Sequence, residues 1–298
     1  MSRFRRTLSS DHLAGWALVL PSFALIALFG LIPIGWALLL SLQKSNLLSP
    51  DTPFVGLANY RALVHDPTFR IAMAHMLIYT GLFVPISIVG SLAVAVALNR
   101  RIWFIRLYRT AFFVPVVAST IATSIMFLWL FDKDFGLANY ALGKVGIGPF
   151  SFFDSPSNQA LYSIVAMTVW GWIGFDVIIY LAALQGVPQE LLEAAEIDGA
   201  SRWSTFRNVT FPLLGPATLL IIVWSSINAF QLFDEVYFVT KGGPLNHTLV
   251  PVLYLFQLAF QQGIAGYAAA IAYVLFFLIL ILTVVQFWIG NRIVHYSS

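Results

Sequence analysis

Six long apolar runs, parted by short polar segments, dictate what this chain can fold into: Leu13 to Leu42, Ile71 to Leu98, Thr110 to Phe131, Gln159 to Leu184, Thr210 to Phe233 and Ile264 to Ile289. A bilayer core of about 30 Å needs roughly 20 apolar residues in a helix, and each run is long enough. Asp176 is the one Asp, Glu, Lys or Arg inside them. With 59% hydrophobic and 10% charged residues over 298 positions, the chain lacks the polar surface that water requires. The expected fold is all-α, a polytopic integral membrane protein with six transmembrane helices.

The absence of cysteine excludes disulfides, thiolate nucleophiles and zinc-thiolate sites. A net charge of +3, with sixteen scattered basic residues, gives no nucleic-acid footprint. Arg3, Arg5 and Arg6 precede the first run, but that run is too long for a signal peptide and has no small-residue cleavage site, so it is expected to be a retained span. Residues 1–12 are read as a cytoplasmic N-terminus, 13–289 as a single six-helix domain with a cytoplasmic loop at 185–209, and 290–298 as a cytoplasmic tail.

Orientation follows the basic residues, because short Arg- and Lys-rich loops resist translocation. Ten lie at the N-terminus, at Arg100, Arg101, Arg106 and Arg109, at Arg202 and Arg207, and at Arg292; the opposite side holds six, Lys44, Arg61, Arg70, Lys133, Lys144 and Lys241. Both termini are therefore expected inside. The outer loops Phe54 to Asp66 and Asp134 to Pro156 read as short caps. In the third, Asp234 to Gly263, the apolar piece Leu249 to Phe260 is too short to span and suggests a helix lying at the interface or packed against other helix ends.

The inner segment Glu193 to Pro212 is polar and rich in small residues. Pro188 suits the first position of a helix, Gly199 a left-handed cap about three turns later, and Ser201 the cap of a second helix running into Asn208, with Pro212 marking entry to the fifth span. Glu190 and Glu193 fall near the positive end of the first helix. Ala194, Ala195, Gly199 and Ala200 would let a partner's backbone approach closely, while Glu193 and Asp198 offer charge for orientation. The same pattern also fits an ordinary connecting loop.

The order Leu181, Leu184, Gln185, Pro188, then Glu193 to Ala200 as E-A-A-x-x-D-G-A, then Phe206, Val209 and Pro212, resembles the EAA motif of ATP-binding-cassette import permeases. Phe54, Val55, Gly56, Asn59 and Tyr60 resemble that family's outer loop, and Arg109, Phe113, Pro115 and Trp129 its third span. Phe233, Asp234, Thr240, Gly242, Gly243 and Pro244 resemble a stretch of its carbohydrate branch; Gly266, Tyr267 and Ala270 resemble its last span. The resemblance implies a type I importer transmembrane fold in a bacterial or archaeal plasma membrane. It also implies a second permease subunit as heterodimer partner, two ATPase subunits that bind ATP and Mg, and an extracytoplasmic solute-binding protein. Glu193, Ala194, Ala195, Asp198, Gly199 and Ala200 would contact the ATPase, whose closure moves the attached helices. No G-x-x-x-x-G-K-[ST] occurs, so ATP hydrolysis belongs to another chain and no cofactor is expected here.

Polar groups in the spans are candidates for the solute path, because they are expensive in lipid. Asp176 could accept hydrogen bonds from substrate hydroxyls, with Trp172 stacking a sugar face; it could equally pair with the partner permease or face a water-filled vestibule. Ser225 and Asn228 share a helix face, with Gln231 turned by about 60°, and either line a cavity or bond a neighbouring helix. Ser119 and Thr123 share a face in the third span, where back-bonding to their own helix competes with a pathway role. No histidine pairing suggests a metal. The competing class is a stand-alone ion-driven carrier, which predicts inverted repeats, several intramembrane carboxylates and interrupted half-helices. Of these the sequence offers only Asp176.

Overall fold

The computed structural model describes residues 15–47, 49, 51–100, 103–155 and 158–293. Arg3, Arg5, Arg6, Arg101 and the tail from 294 lie outside the described residues, and with them the N-terminal segment. Four helices are long and apolar enough to cross a membrane: α1 (Gly15–Ser41), α3 (Pro67–Leu98), α7 (Gln159–Gln185) and α13 (Ala265–Ile293). The third and fifth apolar runs form bent pairs, α4 (Ile105–Val117) with α5 (Thr120–Leu130) at 103°, and α9 (Arg202–Leu213) with α10 (Gly215–Phe230) at 64°. Short helices α2 (Ala58–His65), α6 (Leu137–Gly143), α8 (Gln189–Ile197), α11 (Asp234–Val239) and α12 (Pro251–Phe256) occupy the connections.

Both bends have a backbone cause. Pro115 removes one amide from α4, and Ala118 and Ser119 then adopt extended conformations, so α5 restarts with no side-chain cap from Ser119. The interrupted half-helices associated with an ion-driven carrier are thus present, and they do not separate the two function classes. In the second pair the break falls at Leu214, ahead of Pro216, which cannot donate to the turn before it. Pro212 therefore lies inside α9 and does not open the span; α9 runs past Asn208 by way of a π-turn at Phe206–Thr210.

The residues divide into two units. One holds 15–65 with Leu255–Val274. Its α1 is apolar on every side and exposed or partly exposed throughout except at Ser41, as suits a helix facing lipid. The segment after α1 is tied down locally. Asn59 Nδ2 donates to the carbonyls of Ser41 (2.8 Å) and Gln43 (2.9 Å), and the hydroxyls of Ser41 and Tyr60 lie 2.7 Å apart. Gly56 takes φ +57° at the turn between them. A Cβ on Gly266 would strike Gln43 O and Ser45 N, and its own N–H donates to Ser45 O at 3.1 Å. The motif residues Gly56, Asn59, Tyr60 and Gly266 are therefore structural. Asn59→Leu should cost ~1–3 kcal/mol by leaving two carbonyls unmatched, read as a lower Tm in detergent; an unchanged Tm would show that water replaces the amide.

The other unit holds Asp66–Tyr254 with residues 275–293. Asp66 caps α3, accepting from Thr68 N (2.8 Å) and Phe69 N (3.2 Å), with Pro67 at the first helical position and the Tyr254 hydroxyl on its second oxygen at 2.8 Å. α7 packs against α3, α4 and α10 around Ala95, Leu98, Val177, Tyr180, Leu214 and Ile221. Gly174 brings α7 onto the backbone of α4: a Cβ there would overlap Phe112 O. The first half of the apolar piece Leu249 to Phe260 is packed, since Leu249, Val250 and Leu253 are each 1% exposed and His75 Nδ1 meets Leu249 O at 3.0 Å. The loop before it is closed by Thr248, whose hydroxyl donates to Gly243 O at 2.8 Å.

Candidate functional site

Two places in this second unit concentrate polar groups with no obvious packing role. The first is the connection from α7 to α9. Pro188 is extended and precedes α8, one position earlier than its predicted role as first helical residue. Glu190 lies in the first turn, whereas Glu193 lies in the second, where the helix-end field has faded. At the far end Gly199 takes φ +75°, its N–H bonds Glu196 O at 3.0 Å, and the N–H of Ala200 reaches back to Ala195 O at 2.9 Å. Those two bonds form a Schellman closure, which needs a left-handed residue and so favours glycine. Ser201 then caps α9, its hydroxyl accepting from Ser204 N at 3.3 Å.

This elbow presents Glu193, Ala194, Asp198 and Gly199 to the outside, with Ala195 and Ala200 partly covered. Asp198 sits at the helix end, where its backbone N–H bonds Ala194 O at 3.0 Å. Two apolar side chains accompany them that the motif does not single out: Ile197, 86% exposed, and Trp203, 68% exposed. Ile197 shares a face with Glu193, four residues before it. Large apolar groups standing clear of a polar elbow mark a surface made to be covered. The signal was present in the sequence, as an isoleucine and a tryptophan among the polar and small residues from Glu193 to Thr205.

The second place is a cavity of about 170 Å³, and a neighbouring one of about 120 Å³ shares Thr120, Thr168, Trp172 and Glu235 with it. α7 contributes Thr168, Trp172 and Asp176, spaced by four and therefore on one face. Ser225, Asn228 and Gln231 come from α10 and its end, so five of the seven predicted pathway residues meet around the larger space. Asn228 also donates to Trp224 O at 2.8 Å. Thr123 lines only the smaller cavity, against the α4–α5 break. Ser119 lines neither; it stands exposed at that break as the residue before α5, so it and Thr123 do not form a face of one continuous helix.

Sequence reasoning missed the contribution of α11. Asp234 and Glu235 had been assigned to an outer loop, yet both line the larger cavity. The chain turns back at Phe233, with φ −143° and ψ −60°, and α11 packs on α5. Nothing in the hydrophobic period announces that return. Burial pushes the Glu235 carboxyl above its ordinary range; its own backbone N–H and the Trp172 indole pull the other way, and Asp234 adds to the rise. Trp224 and Phe175 complete the aromatic wall, their rings 5.6 Å apart. A space of this size falls below the ~300 Å³ at which closed ligand pockets begin.

Residues 73–295 match the family described as binding-protein-dependent transport system inner membrane component. Over 284 residues the chain is 38% identical to the lactose transport system permease protein LacF of Rhizobium radiobacter, covering 93% of this chain and 94% of the relative. It is 32% identical over 284 residues to the sn-glycerol-3-phosphate transport system permease protein UgpA of Yersinia pestis, covering 95% of each. The fold matches, with a TM-score of 0.87 over 99% of this chain and 100% of the other, a chain from the crystal structure of a bacterial alginate ABC transporter in complex with alginate pentasaccharide-bound periplasmic protein, at 19% identity.

Proposed function

Because the chain belongs to the binding-protein-dependent transport system inner membrane components, the permeases of ATP-binding-cassette importers, we propose that its elbow is the ATPase contact and its cavity half of the solute path. The chain is a permease and not an enzyme; ATP hydrolysis is the work of separate subunits. The observation that carries the proposal is the Schellman-closed elbow, which holds Glu193, Ala194, Ala195, Asp198, Gly199 and Ala200 on one short helix and its cap, with Ile197 and Trp203 exposed beside them. Rigidity matters here, because a contact that transmits domain closure must not absorb it.

The partners are a second permease, two ATPase subunits that carry ATP and Mg, and an extracytoplasmic solute-binding protein. Relatives support that set: an alginate transporter has been seen with its periplasmic protein, and LacF and UgpA are named for transport systems. Both termini and the elbow lie on the cytoplasmic side, on the strength of the arginine distribution. The solute is a sugar, polyol or related small molecule, handled by Trp172, Asp176, Ser225, Asn228 and Gln231, with Thr123 behind them and Ser119 at the mouth of the break.

The lack of native cysteine makes the test simple. A single cysteine at Ala194, exposed on α8, should form a short-reagent crosslink to the co-purified ATPase, with a yield that changes when ATP closes the motor. An assembled importer giving no such adduct would refute the contact.

A further inference from the structure

The cavity carries one sign of charge. Asp176, Asp234 and Glu235 face it, and no lysine, arginine or histidine is among the described residues lining it or its neighbour. Asp176 is 3% exposed and makes no hydrogen bond to another described residue, so a buried acceptor is aimed into the space. A buried polar group of that kind is costly unless something supplies it with a donor.

The rest of the lining narrows what that donor belongs to. Trp172 and Trp224 offer flat apolar faces, while Ser225 and Asn228 offer neutral donors and acceptors. Thr120 opens α5, whose first amides have no intrahelical partner and carry roughly half a positive charge. Glu235 lines both cavities alongside Thr120 and opposes that field. A neutral solute with many hydroxyls can satisfy each of these groups at once: hydroxyls donate to the carboxyls and accept from Thr120 and Asn228, and an apolar ring face lies on tryptophan. A carboxyl in either protonation state has no positive charge to give a phosphate or a uronate, and when ionised it repels them.

Resting on the reading that this cavity belongs to the solute path, we infer that it selects a neutral, hydroxyl-rich saccharide and rejects anionic ones. The chain thereby differs from its relatives named for sn-glycerol 3-phosphate and alginate.

The test uses the complete permease and ATPase complex in nanodiscs, without the binding protein, so that the binding protein's own selectivity plays no part. Glucose, glucose 6-phosphate, glucuronate and glucosamine are titrated as one set, and lactose with lactobionate as another. Tryptophan fluorescence is followed, with Trp172→Phe identifying the cavity signal. The neutral member of at least one set should bind about tenfold or more tightly than its anionic counterparts, and Asp176→Asn and Glu235→Gln, each at normal expression, should narrow that ratio severalfold. An anionic member binding as well as its neutral counterpart overturns the inference. So does glucosamine exceeding glucose about tenfold, which would mark a cation site, and so does the absence of binding by every member. Coupling is judged separately. If an anion wins while disruption of the elbow still abolishes uptake, the solute class alone is wrong; if uptake survives that disruption, the reading of the elbow falls whatever the solute.

Discussion

Glu193→Lys should leave the chain inserted at normal abundance and reduce uptake by the assembled importer at least about thirtyfold, the loss given by one anchoring side chain of an interface. The glutamate is exposed on the second turn of α8, beside Ile197 and clear of the core, so no folding role accounts for a loss at this position. On the proposed docking, reversing its charge would place a cation opposite a surface matched to an anion, and like charges across an interface are strongly disfavoured. Insertion is checked by the amount in the membrane fraction, and docking by co-purification of the ATPase. Gly199→Val separates charge from shape. At φ +75° a β-branched residue is strained by roughly 1–2 kcal/mol, enough to open the Schellman closure, so uptake should fall although no charge has changed. Normal transport by a well-expressed Glu193→Lys protein would rule out the docking role.

Gly174→Leu should be the most damaging substitution for folding. Its Cβ would overlap the backbone carbonyl of Phe112, with Val116 Cγ2 only 3.0 Å away, so α4 as a whole must retreat from α7. Overpacking ordinarily costs ~1–3 kcal/mol, and here the obstacle is backbone, which cannot change rotamer. The protein should disappear from the membrane fraction. Gly171→Ala is the control on the same helix. Nothing lies within 4 Å of a Cβ there, and the change should be neutral or stabilising by up to about 1 kcal/mol. If both variants accumulate equally, the close approach of α4 and α7 is not required.

How much of this was legible in the sequence depends on how local the cause is. The cap at Gly199 and the hydroxyl cap at Ser201 were readable because a helix end needs only a few adjacent residues to define it. Each of the six apolar runs is helical over most of its described length, since solvation in lipid forces the backbone to satisfy itself. The corner at Ala118 and Ser119 was not readable. Apolar residues continue through it unchanged, and Pro115 announces a weakness without saying whether the result is a gentle kink or 103°. Asp234 and Glu235 were placed outside because acids in a loop look like solvated acids; only the fold of Phe233 and the packing of α11 on α5 turn them inward. Gly174 looked like any other glycine in an apolar stretch, for its meaning lies in the position of Phe112, which is distant in sequence.

The two helices that leave the elbow are mechanically unequal. On one side a wide turn at Phe206–Thr210 and a corner at Leu214 both intervene before α10 begins, and each is a compliant joint. On the other side α7 is one uninterrupted rod from Gln185 back to Gln159. Asp176 rides on that rod nine residues from its end, about 14 Å at 1.5 Å per residue. A displacement passed across the turn at residues 186–188 would reach Trp172 and Asp176 along one continuous helix, whereas Ser225 and Asn228 lie beyond two further joints. If the elbow is pulled as proposed, the two walls should respond unequally, one through a single joint and the other through a series of them.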